Sequence, residues 1–161
     1  MTEEQFWELI EKCKDSEEPE VGVKELLMKL QPEEIESYQT NFDEKFDKAY
    51  IWDLWAVAYI VGEGCSDDGF TDFRYGLISK GKEIYQTGVT SPDSLADFEL
   101  GDIENESFGY VAQEVYEEKT SQELPRGESQ HPADPIGDDW DFDDEDECLK
   151  RMPKISKKLL D

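Results

Sequence analysis

Between Tyr50 and Val61 the chain carries one charge, Asp53, and apolar residues on every side once it is wound as a helix: Ile51, Trp52, Leu54, Trp55, Val57, Ala58, Ile60 and Val61. A helix that is apolar all round is stable in water only when neighbours cover most of it. The β-branched residues leave a buried strand open, but Leu54, Ala56 and Ala58 favour the helix. This segment is therefore expected at the centre of a core that the rest of the chain must build. It falls far short of a bilayer span.

The flanking sequence supplies helices to surround it. Thr2 and Gln5 have the spacing of a capping box, and Phe6, Leu9, Ile10 and Cys13 then share one face, predicting a helix over 3–14. Val23, Leu26, Leu27 and Leu30 mark a second helix. Pro32 with Glu33 and Glu34 opens a third, along which Ile35, Tyr38, Phe42, Phe46 and Ala49 recur every three or four residues. Gly62 and Gly64 end the apolar segment. Phe70, Phe73, Leu77 and Ile78 mark the next helix, with a break at Gly81. Ser91-Pro92-Asp93 and Asn105 are helix starts, the latter leading to Phe108, Val111, Ala112 and Val115. No useful run alternates with period two. The expected fold is all-α: a compact single domain of six to eight helices with an irregular acidic C-terminal arm. At 161 residues and 37% hydrophobic, the chain can bury a core without metals or disulfides.

Composition divides the chain in three. Residues 1–120 read as the helical core. Residues 121–147 are a Pro-rich, then acidic, arm: Pro125, Pro132 and Pro135 come first, and Asp134 to Glu147 holds nine acids and no base. Residues 148–161 reverse sign, with Lys150, Arg151, Lys154, Lys157 and Lys158 beside an apolar stripe of Leu149, Met152, Ile155 and Leu159 that is expected to dock on the core, with Pro153 interrupting the helix.

Against 42 acids the chain has 16 bases, for a net charge of −26. Such a field repels nucleic-acid phosphates and anionic membranes and attracts basic proteins; solubility alone is the simpler explanation. Cys13, Cys65 and Cys148 are an odd number without metal-type pairing, which fits reduced thiols in a cytoplasmic protein.

The loop from Gly64 to Gly69 is the strongest site candidate, because Cys65, Ser66, Asp67 and Asp68 precede a helix on which Arg74 could orient a carboxylate; Asp53 and Trp140 are candidates to complete a pocket. The competing reading makes the same residues a helix cap, in which case Asp67→Ala with Asp68→Ala lowers stability by about 1–2 kcal/mol. A phosphate-binding turn is rejected, since Asp67 replaces its third glycine. The alternating Asp139, Asp141 and Asp143 imitate an EF-hand, but Asp144 and Lys150 stand where that loop needs glycine and glutamate. Trp140 and Phe142 inside the acids are expected to anchor the arm to its own domain. His131, the one histidine, lies in the Pro-rich arm, far along the chain from Cys65. Trp7, Trp52 and Trp55 are assigned to the core.

The runs Trp52-Asp53-Leu54-Trp55, Gly62-Glu63-Gly64-Cys65-Ser66-Asp67-Asp68-Gly69-Phe70, Asp72-Phe73-Arg74 and Leu77-Ile78-Ser79-Lys80-Gly81 resemble the bacterial domain of unknown function 4240 family. Gln5-Phe6-Trp7-Glu8-Leu9-Ile10 and Trp140-Asp141-Phe142-Asp143-Asp144 also fit it. The resemblance implies a helical bacterial domain, sometimes found beside other modules, and brings no activity, cofactor or catalytic residue. Gly76 stands where the family usually has an aromatic, and the Pro153 region is richer in lysine; either change is expected to loosen packing against the 70–80 helix.

Two functions follow as expectations. One is a non-enzymatic interaction module whose acidic surface binds a basic partner, such as a nucleic-acid-binding protein or a basic toxin that it neutralises, without cofactor or metal. The alternative is a small-molecule- or metal-dependent enzyme centred on the Cys65–Arg74 loop.

Overall fold

The computed structural model describes residues 1–127 and 131–160. Among them the chain forms nine α-helices: α1 (Glu3–Glu11), α2 (Pro19–Met28), α3 (Pro32–Lys48), α4 (Trp52–Val61), α5 (Asp67–Ser79), α6 (Lys82–Thr90), α7 (Val111–Thr120), α8 (Glu145–Arg151) and α9 (Pro153–Leu160). Short 3-10 turns at Pro92–Asp97 and Glu106–Tyr110 complete it. The fold is all-α. Nine helices exceed the expected six to eight because Pro153 splits the tail in two, serving as the first residue of α9. The sole strand-like pairing among the described residues is an isolated parallel bridge between Ile51 and Ile136.

Local signals worked as chemistry requires. The Thr2 hydroxyl accepts from the Gln5 amide at 3.1 Å while the Thr2 amide donates to the Gln5 side chain at 2.9 Å, closing the capping box of α1. α1 stops at Glu11, three residues earlier than its periodicity predicts, and continues as turns. After α4 the chain turns through Glu63 and Gly64, both at positive φ (54° and 121°), the second of which suits glycine alone. The Gly64 amide donates back to Tyr59 O at 2.8 Å, satisfying a carbonyl of the last turn.

Two helix starts behave differently from their sequence reading. Ser91-Pro92-Asp93 opens a 3-10 turn, and Asp93 turns away to accept from the amides of Lys154 (3.1 Å) and Ile155 (2.9 Å). It caps α9 from another part of the chain, so the free amides of the tail helix find their acceptor on the core. Lys158 completes the attachment by donating to Ala96 O and Phe98 O, both at 2.9 Å. Asn105 caps the 3-10 turn that leads into α7, its side chain accepting from the Phe108 amide.

The core joins α1, α2, α3, α5 and α7 around Phe6, Ile10, Leu27, Ile35, Tyr38, Phe42, Leu77 and Phe108, all buried. α4 sits nearer the edge than its composition suggests. Leu54, Ala56, Val57 and Ala58 are buried, but Trp52, Trp55, Tyr59 and Ile60 are only half-covered and Val61 is 44% exposed. The helix is covered on most sides as expected, with Val61 alone exposed, but its large rings Trp52, Trp55 and Tyr59 are incompletely covered.

Gly76 does not loosen α5. A methyl group there would stand 1.5 Å from the Ile103 carbonyl oxygen, so glycine lets the loop before the second 3-10 turn lie directly on the helix. Gly76→Ala should cost about 3 kcal/mol, the upper range for overpacking, because the obstructing atom is backbone; urea unfolding read by circular dichroism checks this.

Candidate functional site

The loop singled out from sequence is built as a helix start. Ser66 is the N-cap of α5, its hydroxyl accepting from the Gly69 amide at 3.1 Å. Asp67 and Asp68 lie exposed in the first turn, where carboxylates complement the helix dipole. The Cys65 carbonyl accepts from the Trp55 indole N–H at 2.9 Å, fastening the loop to α4. Burial, with the charges of Glu104 and Asp72, pushes the Cys65 thiol up to about 11, so at neutral pH it is a protonated thiol and a poor nucleophile.

Arg74 does not orient Asp67 or Asp68. It follows them by seven and six residues, about two turns along the axis, whereas side chains meet on a helix at three or four. Its guanidinium instead lies 3.8 Å above the Phe46 ring, with Tyr50 at 4.5 Å and Phe70 at 4.9 Å, and donates to the Phe46 carbonyl at 3.2 Å. Burial pulls it down to about 10, which leaves it cationic at neutral pH.

Asp53 and Trp140 do meet, 87 residues apart: the indole N–H donates to the Asp53 carboxylate at 3.0 Å. Trp140 is buried, and the Arg151 guanidinium lies 5.1 Å from its ring. Phe142 packs edge-on against Trp140 (5.0 Å) and Trp52 (6.2 Å) and lies 5.5 Å from Tyr59. The acids between them make local turns: Asp141 accepts from the Asp143 amide, and Asp144 caps α8 through the amides of Asp146 and Glu147. Among the described residues no group of three or more His, Cys, Asp or Glu gathers to hold a metal.

The candidates therefore occupy two ends of one surface. Between them run rings that sequence reasoning assigned to the core: Trp55 stacks on Phe70 (4.9 Å, 13°) and on Trp52 (5.4 Å, 10°), and Trp52 meets Phe142. Trp7 is buried as expected, while Trp52 and Trp55 are not. The signal that could have found this face is the placing of Trp52, Trp55 and Tyr59 three and four residues apart, opposite the smaller Leu54, Val57 and Ala58.

His131 is held elsewhere, on α3: Nδ1 pairs with the Asp47 carboxylate, and the ring stands edge-on to Phe46. An open groove of about 750 Å³ adjoins it, lined by Gln39, Asp43, Glu117, Glu123 and Arg126. Burial raises the Asp43 carboxyl above the ordinary range, opposed by the hydrogen bond from Gln39 and the nearby imidazole.

Fold and surface together define a small all-helical domain with an acidic arm strapped across its aromatic edge. The chain belongs to the family described as protein of unknown function (DUF4240), whose model matches residues 1–118. The arm and tail, with Trp140–Asp144, lie beyond the matched residues, whereas Trp52, Trp55 and the Cys65–Arg74 loop lie within them. No curated protein and no solved structure matches the chain.

Because Ser66 and not either aspartate makes the capping bond, Ser66→Ala should lose about 1 kcal/mol, and Asp67→Ala with Asp68→Ala should lose less than that single change; urea denaturation of both variants decides it. Cys65 should react with iodoacetamide at pH 7 about a hundredfold more slowly than an ordinary exposed cysteine, the rate rising about tenfold per pH unit. Peptide mapping by mass spectrometry gives the site-resolved rate.

Proposed function

We propose that this chain is a protein-interaction module without catalytic activity of its own, and that its acidic surface binds a basic protein. The observation that carries the reading is the arm. A run of nine acids is laid against a domain already strongly acidic, and Trp140 and Phe142 hold it there through ring contacts and the bond to Asp53. Asp138, Asp139, Asp141 and Asp143 make no ion pair among the described residues; within the acidic run Glu147 pairs with Arg151 at 2.9 Å, and earlier in the arm His131 pairs with Asp47. Gathering like charges in this way costs free energy in the isolated chain, and a cationic partner recovers it.

The enzyme alternative draws less support. It needs a reactive Cys65 and an Arg74 free to polarise a substrate, while the first is a raised-pKa thiol and the second is spent on three rings and a carbonyl. A reducing, cytoplasmic setting fits the three free thiols. No helix among the described residues is long and apolar enough to cross a membrane.

Affinity capture from lysate at low and at high salt tests the proposal. One recurrent basic protein should be retained at low salt, released at high salt, and should bind the purified chain with the same salt dependence. Capture of no specific protein under either condition, or of one whose binding ignores salt, counts against it.

A further inference from the structure

Among the carboxylates spread over this molecule, the edge of α4 presents a row of partly covered rings. α4 is apolar around its circumference, and a self-sufficient fold would cover such a helix on all sides. Here the fold leaves Trp52, Trp55 and Tyr59 half-covered, with Val61 exposed beyond them. The rings are not scattered. Trp52 lies parallel to Trp55, Phe142 joins Trp52 to Tyr59, and the row extends inward to Phe70.

Carboxylates frame this row. Asp143 accepts from the Tyr59 hydroxyl at 2.6 Å and, with the nearby exposed Asp141, raises its pKa, and Asp67 and Asp68 stand exposed in the first turn of α5, beyond the Cys65 loop that Trp55 holds. A partly covered aromatic ring within a negative field attracts a cation twice, through the ring quadrupole and through the carboxylates. The chain already uses this contact at both flanks of the cluster: Arg151 lies over Trp140 and Arg74 over Phe46, Tyr50 and Phe70.

We propose that the half-covered aromatic face of α4, with Asp141 and Asp143 of the arm, is a docking site for an arginine- and lysine-rich polypeptide segment. The proposal rests on the preceding reading that the partner is basic, and it names the surface that does the binding. Charge complementarity selects the occupant. A second copy of this chain would bring another 26 net negative charges to the contact. Nucleic acid is repelled by the same field. A purely apolar partner would bury Asp141 and Asp143 without counter-charge. A guanidinium satisfies both parts, its plane on an indole and its N–H groups toward carboxylates.

The test is fluorescence anisotropy of a labelled ten-residue peptide alternating arginine and glycine, titrated with the full chain and four variants at low salt. Trp52→Leu should weaken binding about tenfold, and Trp52→Phe, which keeps a π face, should restore most of it. Asp141→Asn with Asp143→Asn should weaken it clearly more than Glu114→Gln with Glu117→Gln, which removes two exposed charges from α7 on the α2–α3 side. If folded Trp52→Leu binds as tightly as the native chain, or the two charge pairs lose equally, the site is wrong and only diffuse attraction remains. Should Trp52→Leu fail to fold by circular dichroism, the two charge pairs decide alone. If the native chain does not bind the peptide at all, the basic-partner reading itself falls, and the site with it.

Discussion

A net charge of −26 on 161 residues works against any compact state, because drawing the chain together raises the repulsion among its carboxylates. Aromatic burial that crosses helix boundaries offsets it. Phe6 packs on Trp7 and on Tyr38; Tyr38 stacks with Phe42; Phe42 meets Phe108 and Tyr75; Tyr75 stacks on Phe46. Trp7 in turn meets Tyr85 of α6. Each ring buries a large apolar area, and edge-on or offset contacts add to it. With rings from α1, α3, α5, α6 and the second 3-10 turn in contact, none of these helices depends on its own marginal stability.

The same interaction carries the parts of the molecule that are not core. Arg74 rests on rings from α3, from the α3–α4 link and from its own helix, and so fixes the junction of three elements without a carboxylate. His131 meets Phe46, and Trp140 and Phe142 meet the α4 edge, so both ends of the arm are held by rings where charge alone would push it away. The tail adds hydrogen bonds: Asp93 caps α9 from the core, and Lys158 reaches two carbonyls beyond it. An acidic arm is thereby held beside half-covered indoles.

The all-α class was legible because apolar spacing and caps are local: Thr2 with Gln5, Ser66 before Asp67, and the periodic α3 all formed as their chemistry dictates. The candidate site was legible only at its ends. Asp53, Trp140 and the Cys65 loop were visible as unusual residues in sequence, while Trp52 and Trp55 looked like core because large apolar residues usually are. Arg74 was misassigned because a guanidinium beside two aspartates in sequence suggests an ion pair, although their spacing on a helix keeps them about two turns apart. Gly76 looked like a packing defect and is a contact surface, since the Ile103 backbone that fills its place comes from 27 residues further on.

Sequence by itself determined where helices begin, which faces are apolar, and the sign and size of the field, because these depend on residues within a turn or two of one another or on a simple sum of charges. Tertiary structure alone decided how many neighbours α4 would have, which acids would lie beside its partly covered indoles, and that Asp93 would cap a helix 60 residues away. Those outcomes depend on how a limited apolar surface is shared among nine helices. Here it buries Leu54, Ala56, Val57 and Ala58 of α4 and leaves Trp52, Trp55 and Tyr59 partly covered beside the arm.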